Sequence, residues 1–217
     1  MGPDTDVAPN SLADLLRRAV AGDAAACAEL FTQHRERLRR VIHLRLDHRL
    51  QGRLDPSDVL QDAFLDFARR LPEFDPAGDL PFYLWLRGLT GQRLVDLHRA
   101  HLGAKMRDAG LEVSLYRGAM PQASSVSLAA QLLGRMTSAS HAAMRAEVQL
   151  RVQDALNAMD PTDREVLTLR HFEQMSNDEA AQALGLAKSA ASKRYVRALK
   201  RLRDVLATLP GFGDYSE

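Results

Sequence analysis

Three observations predict an all-α protein of two small helical domains joined by a flexible linker, the second domain carrying a helix-turn-helix. Apolar residues recur at three- and four-residue spacing through most of the chain, and no alternating strand pattern is found. Of the 217 residues 46% are hydrophobic but only 6% aromatic, so the cores are mostly Leu, Ala and Val. A stretch rich in Gly, Ser, Ala, Met and Gln at 103–140 separates the helical regions, giving a first domain at 11–102 and a second at 141–209.

The formal net charge is only +1, but it is segregated. Basic surfaces at 35–53, 87–107 and 188–203 alternate with acidic segments, the pattern of a protein that touches both nucleic acid and a protein partner. Cys27 is the single cysteine, which excludes an internal disulfide framework and a Cys-based zinc cluster and points to a reducing compartment. The start of the chain has no basic and apolar leader pattern, and no apolar run reaches membrane-span length. The expectation is a soluble, cytoplasmic protein.

Taken in order, Ser11 is placed to cap a helix with Leu12, Leu15, Leu16 and Val20 inside, ending at Gly22. Asp23 caps a longer one, expected to run to Gly52 with Ala26, Leu30, Leu38, Val41, Ile42 and Leu46 as its apolar stripe and Arg37, Arg45 and Arg49 among the arginines outside. Asp55 with Pro56 and Asp58 is a strong start signal for a helix to about Arg70. Its inner face is Val59, Leu60, Ala63, Phe64 and Phe67, and Asp58, Gln61, Asp62 and Asp66 form an outer ridge. A Pro- and Gly-rich loop holding Phe74 leads to a helix opened by Pro81, with Phe82, Trp85, Leu86, Leu89, Leu94 and Leu97 inside. Within the linker a patch at 128–133 is apolar enough for a short helix.

The second domain begins near Ala142 with Val148, Val152, Leu156 and Met159, followed by a helix with Val166, Leu167 and Leu169. Over 176–203 two helices meet at Gly185, and the second has Ala191, Tyr195, Ala198, Leu199 and Leu202 on one side. Lys188, Lys193, Arg194, Arg197, Lys200, Arg201 and Arg203 fill its other faces, with no acidic residue among them. This is the form of a helix-turn-helix whose second helix enters the DNA major groove, and Ser189, Ala190 and Ser192 are small enough to let its first turns approach base edges.

Asp55-Pro-Ser-Asp58-Val-Leu-Gln61-Asp62-Ala-Phe64, then Phe82-Tyr-Leu-Trp85-Leu86 with Asp96 and Arg99, then the 156–202 segment, together resemble the extracytoplasmic-function (ECF) class of bacterial RNA polymerase sigma factors. The likeness spans both domains. It implies that Asp58, Gln61 and Asp62 dock on the clamp coiled coil of the polymerase largest subunit. It further implies that the Phe74 loop and following helix recognise and open the −10 element, and that the second domain binds the −35 element and the flap of the second subunit. An anti-sigma factor or another regulator is a further implied partner.

On that basis Phe74 and Tyr83 are candidate stacking groups, Gln92 a base reader, and Arg87, Arg93 and Arg99 phosphate contacts at −10. Lys188, Ser189, Ala190, Ser192, Lys193, Arg194, Arg197, Lys200 and Arg201 are the −35 candidates. Trp85 continues the core stripe. Three departures from the family pattern stand out: Gln92 replaces a usual Asn, the Phe74 loop is about two residues longer, and Gln174 replaces a common Gly. Ala190 and Ala191 leave the reading helix poor in base-edge donors, favouring thymine methyls or backbone.

His98 and His101 lack a third ligand, and no nucleophile elbow or P-loop spacing occurs, so neither a metal, a cofactor nor a catalytic residue is expected. The rival reading is a dimeric helix-turn-helix repressor or activator with a sensing first domain. Such a protein has no use for the acidic ridge and the aromatic loop.

Overall fold

The computed structural model describes residues 11–102, 120–134 and 142–208, the side chains of 142–145 excepted. The helices are α1 (Leu12–Val20), α2 (Ala24–Arg45), α3 (Pro56–Arg70), α4 (Phe82–Leu102), α5 (Ser125–Leu133), α6 (Ala142–Asn157), α7 (Pro161–Leu167), α8 (Asn177–Leu184) and α9 (Lys188–Leu206). No strand occurs among the described residues.

The starts follow their caps. Ser11 Oγ accepts from Asp14 N–H, and Asp23 accepts from Ala25 and Ala26 N–H at 2.9 and 3.1 Å. Asp55 and Asp160 do the same ahead of Pro56 and Pro161, where the missing proline N–H costs nothing. α2, expected to run to Gly52, ends at Arg45. Beyond it the Asp47 N–H donates to His98 Nε2 and the Asp47 carboxylate accepts from Arg49 N–H, so local side-chain bonds take over from the helical ladder. The turn still buries Leu46 and Leu50.

α1 to α4 close around an aromatic cluster in which Phe67 meets Phe82 and Trp85, while Phe74 lies 5.0 Å from Trp85 between ring centroids. Trp85 packs against this core, as expected. A second core joins α5, α6, α7 and α9 through Leu128, Val152, Leu156, Leu167, Ala198 and Leu202. The cores interlock: Leu169, Met175 and Ala180 enter the first, and Leu44 of α2 enters the second.

Part of the expected linker belongs to this packing. The patch at 128–133 falls in α5, where Leu128 and Ala129 are fully buried. Ser124 N–H donates to Leu44 O, and Arg164 donates to Ala123 O. The rest of the linker, 103–119 and 135–141, lies outside the described residues.

Arg45 is a correction to the sequence reading, which put it outside. It is 2% exposed. Its guanidinium donates to Glu173 at 2.7 Å, to Glu165 at 2.5 Å and to Pro121 O at 2.7 Å. Arg87 of α4 completes the group, donating to both Glu173 oxygens at 2.7 and 3.1 Å. Two cations of the first domain thus neutralise two carboxylates of the second inside the joint, the condition under which buried charge is tolerated.

Candidate nucleic-acid interface

The helix-turn-helix is fixed at both ends. Ser176 and Glu179 form a reciprocal capping box, with Glu179 N–H donating to Ser176 Oγ and Ser176 N–H donating to Glu179 Oε2. Gly185 closes α8 at φ 65°, a left-handed conformation that glycine adopts without cost. Asn177 Nδ2 donates to Lys188 O at 3.0 Å, and Lys188 pairs with Asp178 at 2.6 Å, so the start of α9 is held on α8.

Ala191, Ala198 and Leu202 are the buried side of α9. Seven of the nine −35 candidates divide into two groups around it. Ser189, Ser192, Lys193, Lys200 and Arg201 are exposed, and their side chains bond to none of the described residues. Arg194 and Arg197 are instead drawn to the α7 end: Arg194 donates to Asp163 at 2.6 Å and Asp160 at 3.1 Å, and Arg197 grips both Asp163 oxygens at 2.5 and 2.7 Å. The Arg197 bonds, with Arg194, hold the Asp163 carboxyl below the usual carboxylate range against its burial. Ala190 is half-buried and Lys188 is exposed but paired.

On α3, Asp58 and Gln61 are exposed. Asp62 is half-buried and pairs with Arg93 of α4, joining a clamp candidate to a −10 candidate. Sequence reasoning missed Leu65, 58% exposed in the middle of this ridge. The signal was present, since Leu65 is out of phase with the stripe that buries Val59, Ala63 and Phe67.

The −10 candidates are not presented together. Gln92 and Arg99 are exposed, and Gln92 accepts from Arg70 at 2.8 Å. Phe74 is turned into the core on Phe82 and Trp85, because the rings around it offer an apolar seat that the sequence does not reveal. Tyr83 is 5% exposed, with the Arg37 guanidinium 3.4 Å above its ring, and Arg37 in turn binds Glu179 of α8 at 2.9 Å. Burial, with Glu173 nearby, pushes the Tyr83 phenol up to about 12. Arg87 is held by Glu173 in the joint. Gln182 of α8 also donates to Asp79 O in the Phe74 loop, so the second domain lies over this part of the first.

His98 is spent as the acceptor from Asp47 N–H, and among the described residues no group of three His, Cys, Asp or Glu has the arrangement of a metal site.

A family model described as Sigma-70, region 4 matches residues 149–202, the segment that holds α7, α8 and most of α9. The ECF RNA polymerase sigma factor SigD of Mycobacterium tuberculosis is 26% identical over 216 residues, covering 100% of this chain and 92% of that protein. Along its whole length the chain is similar to ECF-class RNA polymerase sigma factors. The RNA polymerase sigma factor NccH of Alcaligenes xylosoxydans xylosoxydans is 28% identical over 201 residues, 88% of this chain and 92% of the relative. Among solved structures, CnrH in complex with the cytosolic domain of CnrY matches with a TM-score of 0.51 and 25% identity, covering 88% of this chain and 94% of that one. The repressor reading gains nothing from these likenesses.

Proposed function

We infer that this sigma factor binds core RNA polymerase, recognises promoter DNA at −10 and −35 elements, and starts transcription without a covalent step of its own. The observation that carries the reading is the match of both domains, in order and nearly end to end, to ECF sigma factors, together with an exposed basic α9.

In this reading α3 meets the clamp through Asp58 and Gln61, with Asp62 behind them and Leu65 as the apolar anchor. An exposed leucine on the same face as Gln61 and Asp58, the latter unpaired among the described residues, suits a basic helical partner, where the apolar group supplies affinity and the charge steers approach. The second domain meets the flap and the −35 duplex. Ser189, Ala190, Ser192 and Lys193 lie against the bases, and Lys188, Lys200 and Arg201 follow the phosphates. Arg194 and Arg197 seat α9 on α7. At −10, Gln92, Arg93 and Arg99 face DNA first. Tyr83 and Arg87, held across the joint by Glu179 through Arg37 and by Glu173, join them once the second domain lifts away, while Phe74 stays seated on Phe82 and Trp85.

That separation is required by distance. DNA rises about 3.4 Å per base pair, so 25 positions span roughly 85 Å. A domain of this size has a radius of gyration of about 12 Å, and two such domains in contact cannot reach both elements. The 17 residues at 103–119, between α4 and the segment packed with α5, can span up to about 60 Å. The packed form is the free protein, and the promoter-bound form is extended. An anti-sigma factor that held the packed form would block initiation.

Core binding tests the α3 assignment. Asp58→Arg combined with Leu65→Asp should lower affinity for purified core polymerase at least a hundredfold, read by fluorescence anisotropy, with helical circular dichroism intact because both side chains are exposed. Unchanged affinity would remove α3 from the interface.

A further inference from the structure

The outward face of α9 holds one residue that neither charge nor core packing explains. Val196 is 64% exposed, more than Leu12, Val20, Leu65 or Leu150. A lone exposed valine is ordinary on a protein surface. This one is distinguished by its neighbours. At 3.6 residues per turn it stands opposite Ala191 and Ala198, which are buried, and on one line with Ser192, Lys193 and Lys200 at spacings of four, three and four. Ser192, Lys193 and Lys200 are all exposed, and their side chains bond to none of the described residues. Arg194 and Arg197, the cations on either side of the core seam, are turned away onto Asp163. The face that remains is therefore hydroxyl, ammonium, isopropyl, ammonium.

The ends of that face already have partners in DNA: ammonium groups for phosphates and a hydroxyl for base edges. The isopropyl group donates and accepts nothing. In the major groove one base offers an apolar edge, thymine through its C5-methyl group. Lys193, one turn before, lies against the bases, and Lys200, one turn after, holds the helix against the phosphates, which brings Val196 to the groove floor. We propose that Val196 is a specificity-determining residue of the −35 contact, selecting thymine at one position by packing on its methyl group. This inference rests on the −35 reading of α9 made above.

The test removes the methyl from the DNA and its partner from the protein. Full-length protein bound to core polymerase is used to enrich −35 duplexes from a randomised library. In the enriched duplex each thymine is then replaced singly by deoxyuridine. At one position the replacement should weaken wild-type binding about three- to fourfold, the value of one buried methyl. In Val196→Ala that penalty should vanish while penalties at other positions persist, and re-selection with the variant should lose the thymine preference there. Alanine favours the helix and the site is exposed, so folding is unaffected. Should every deoxyuridine penalty survive in Val196→Ala, the assignment of Val196 is overturned and the −35 reading stands. Should the wild-type protein enrich no sequence upstream of −10, the −35 reading falls and Val196 falls with it.

Discussion

Glu173 and Gln174 stand side by side at the turn into the helix-turn-helix, and single substitutions there separate two kinds of energy. Gln174 holds φ 57°, a left-handed backbone that costs a side-chain-bearing residue about 1–2 kcal/mol. The family's usual glycine is therefore the relaxed choice at this turn. Gln174→Gly should stabilise the fold by about 1 kcal/mol and raise the melting temperature by roughly 2–4 °C, and a fall in melting temperature would show that the turn is not strained. Glu173 is fully buried. Burial alone would push its carboxyl up, but Arg45 and Arg87 overcome that and hold it at about 2. Glu173→Gln leaves two buried cations short of one charge and should cost about 3–5 kcal/mol in urea unfolding, where less than about 1 kcal/mol would mean that water fills the joint. The pH dependence follows from the same reasoning. His34 and His98 are held below the ordinary 6.5 by burial first and then by Arg37 and Arg49, with Glu179 and Asp47 opposing. A depressed histidine leaves stability whole above 6.5, and as pH falls below it the unfolded chain takes up protons first and stability declines. The depressed carboxyls, Glu173 and Asp47 at about 2, contribute stability above their ordinary range that is lost as pH falls toward 2. Urea midpoints should thus be flat from pH 8 to 7 and fall in two stages below. A midpoint that does not change between pH 7 and 5.5 would mean that the two imidazoles are protonated in the fold.

At the scale of the element, α9 shows what the sequence made legible and what it hid. The turn at Gly185 and the inner positions Ala191, Ala198 and Leu202 follow from spacing and turn chemistry alone, and the structure has them all. The division of its arginines does not follow, because Asp160 and Asp163 meet Arg194 and Arg197 only after α7 folds against α9. Phe74 was hidden in the same way: a loop phenylalanine has no visible partner until α3 and α4 bring Phe82 and Trp85 to it. Arg45 was hidden because its carboxylates lie 120 and 128 residues along the chain. Local rules describe elements, and ion pairs between elements require the packing. The two kinds of α9 cation should therefore respond differently to substitution. Lys200→Ala should leave the melting temperature unchanged and reduce the salt slope of −35 binding by about 0.9, one phosphate contact. Arg194→Ala should lower the melting temperature and leave the salt slope nearly unchanged, since its charge is already committed to Asp163. Identical salt slopes for wild type and Lys200→Ala would take Lys200 off the DNA.

For the whole molecule, the central claim is that two helical domains, packed through a neutral buried quartet of Arg45, Arg87, Glu165 and Glu173, form a sigma factor that opens out on core polymerase and a promoter. Among the described residues no helix is long and apolar enough to cross a membrane, and the basic and acidic faces lie on different elements, α9 and α3. Both belong on one assembly if the claim holds. The most direct measurement is run-off transcription with purified core polymerase on a promoter library, with and without this protein. The account predicts transcripts only when the protein is present, starting downstream of a shared pair of elements at −35 and −10 spacing, and lost with Asp58→Arg combined with Leu65→Asp. Core polymerase that gains no start sites from the protein, while the protein alone represses a bound promoter as a dimer, would contradict it.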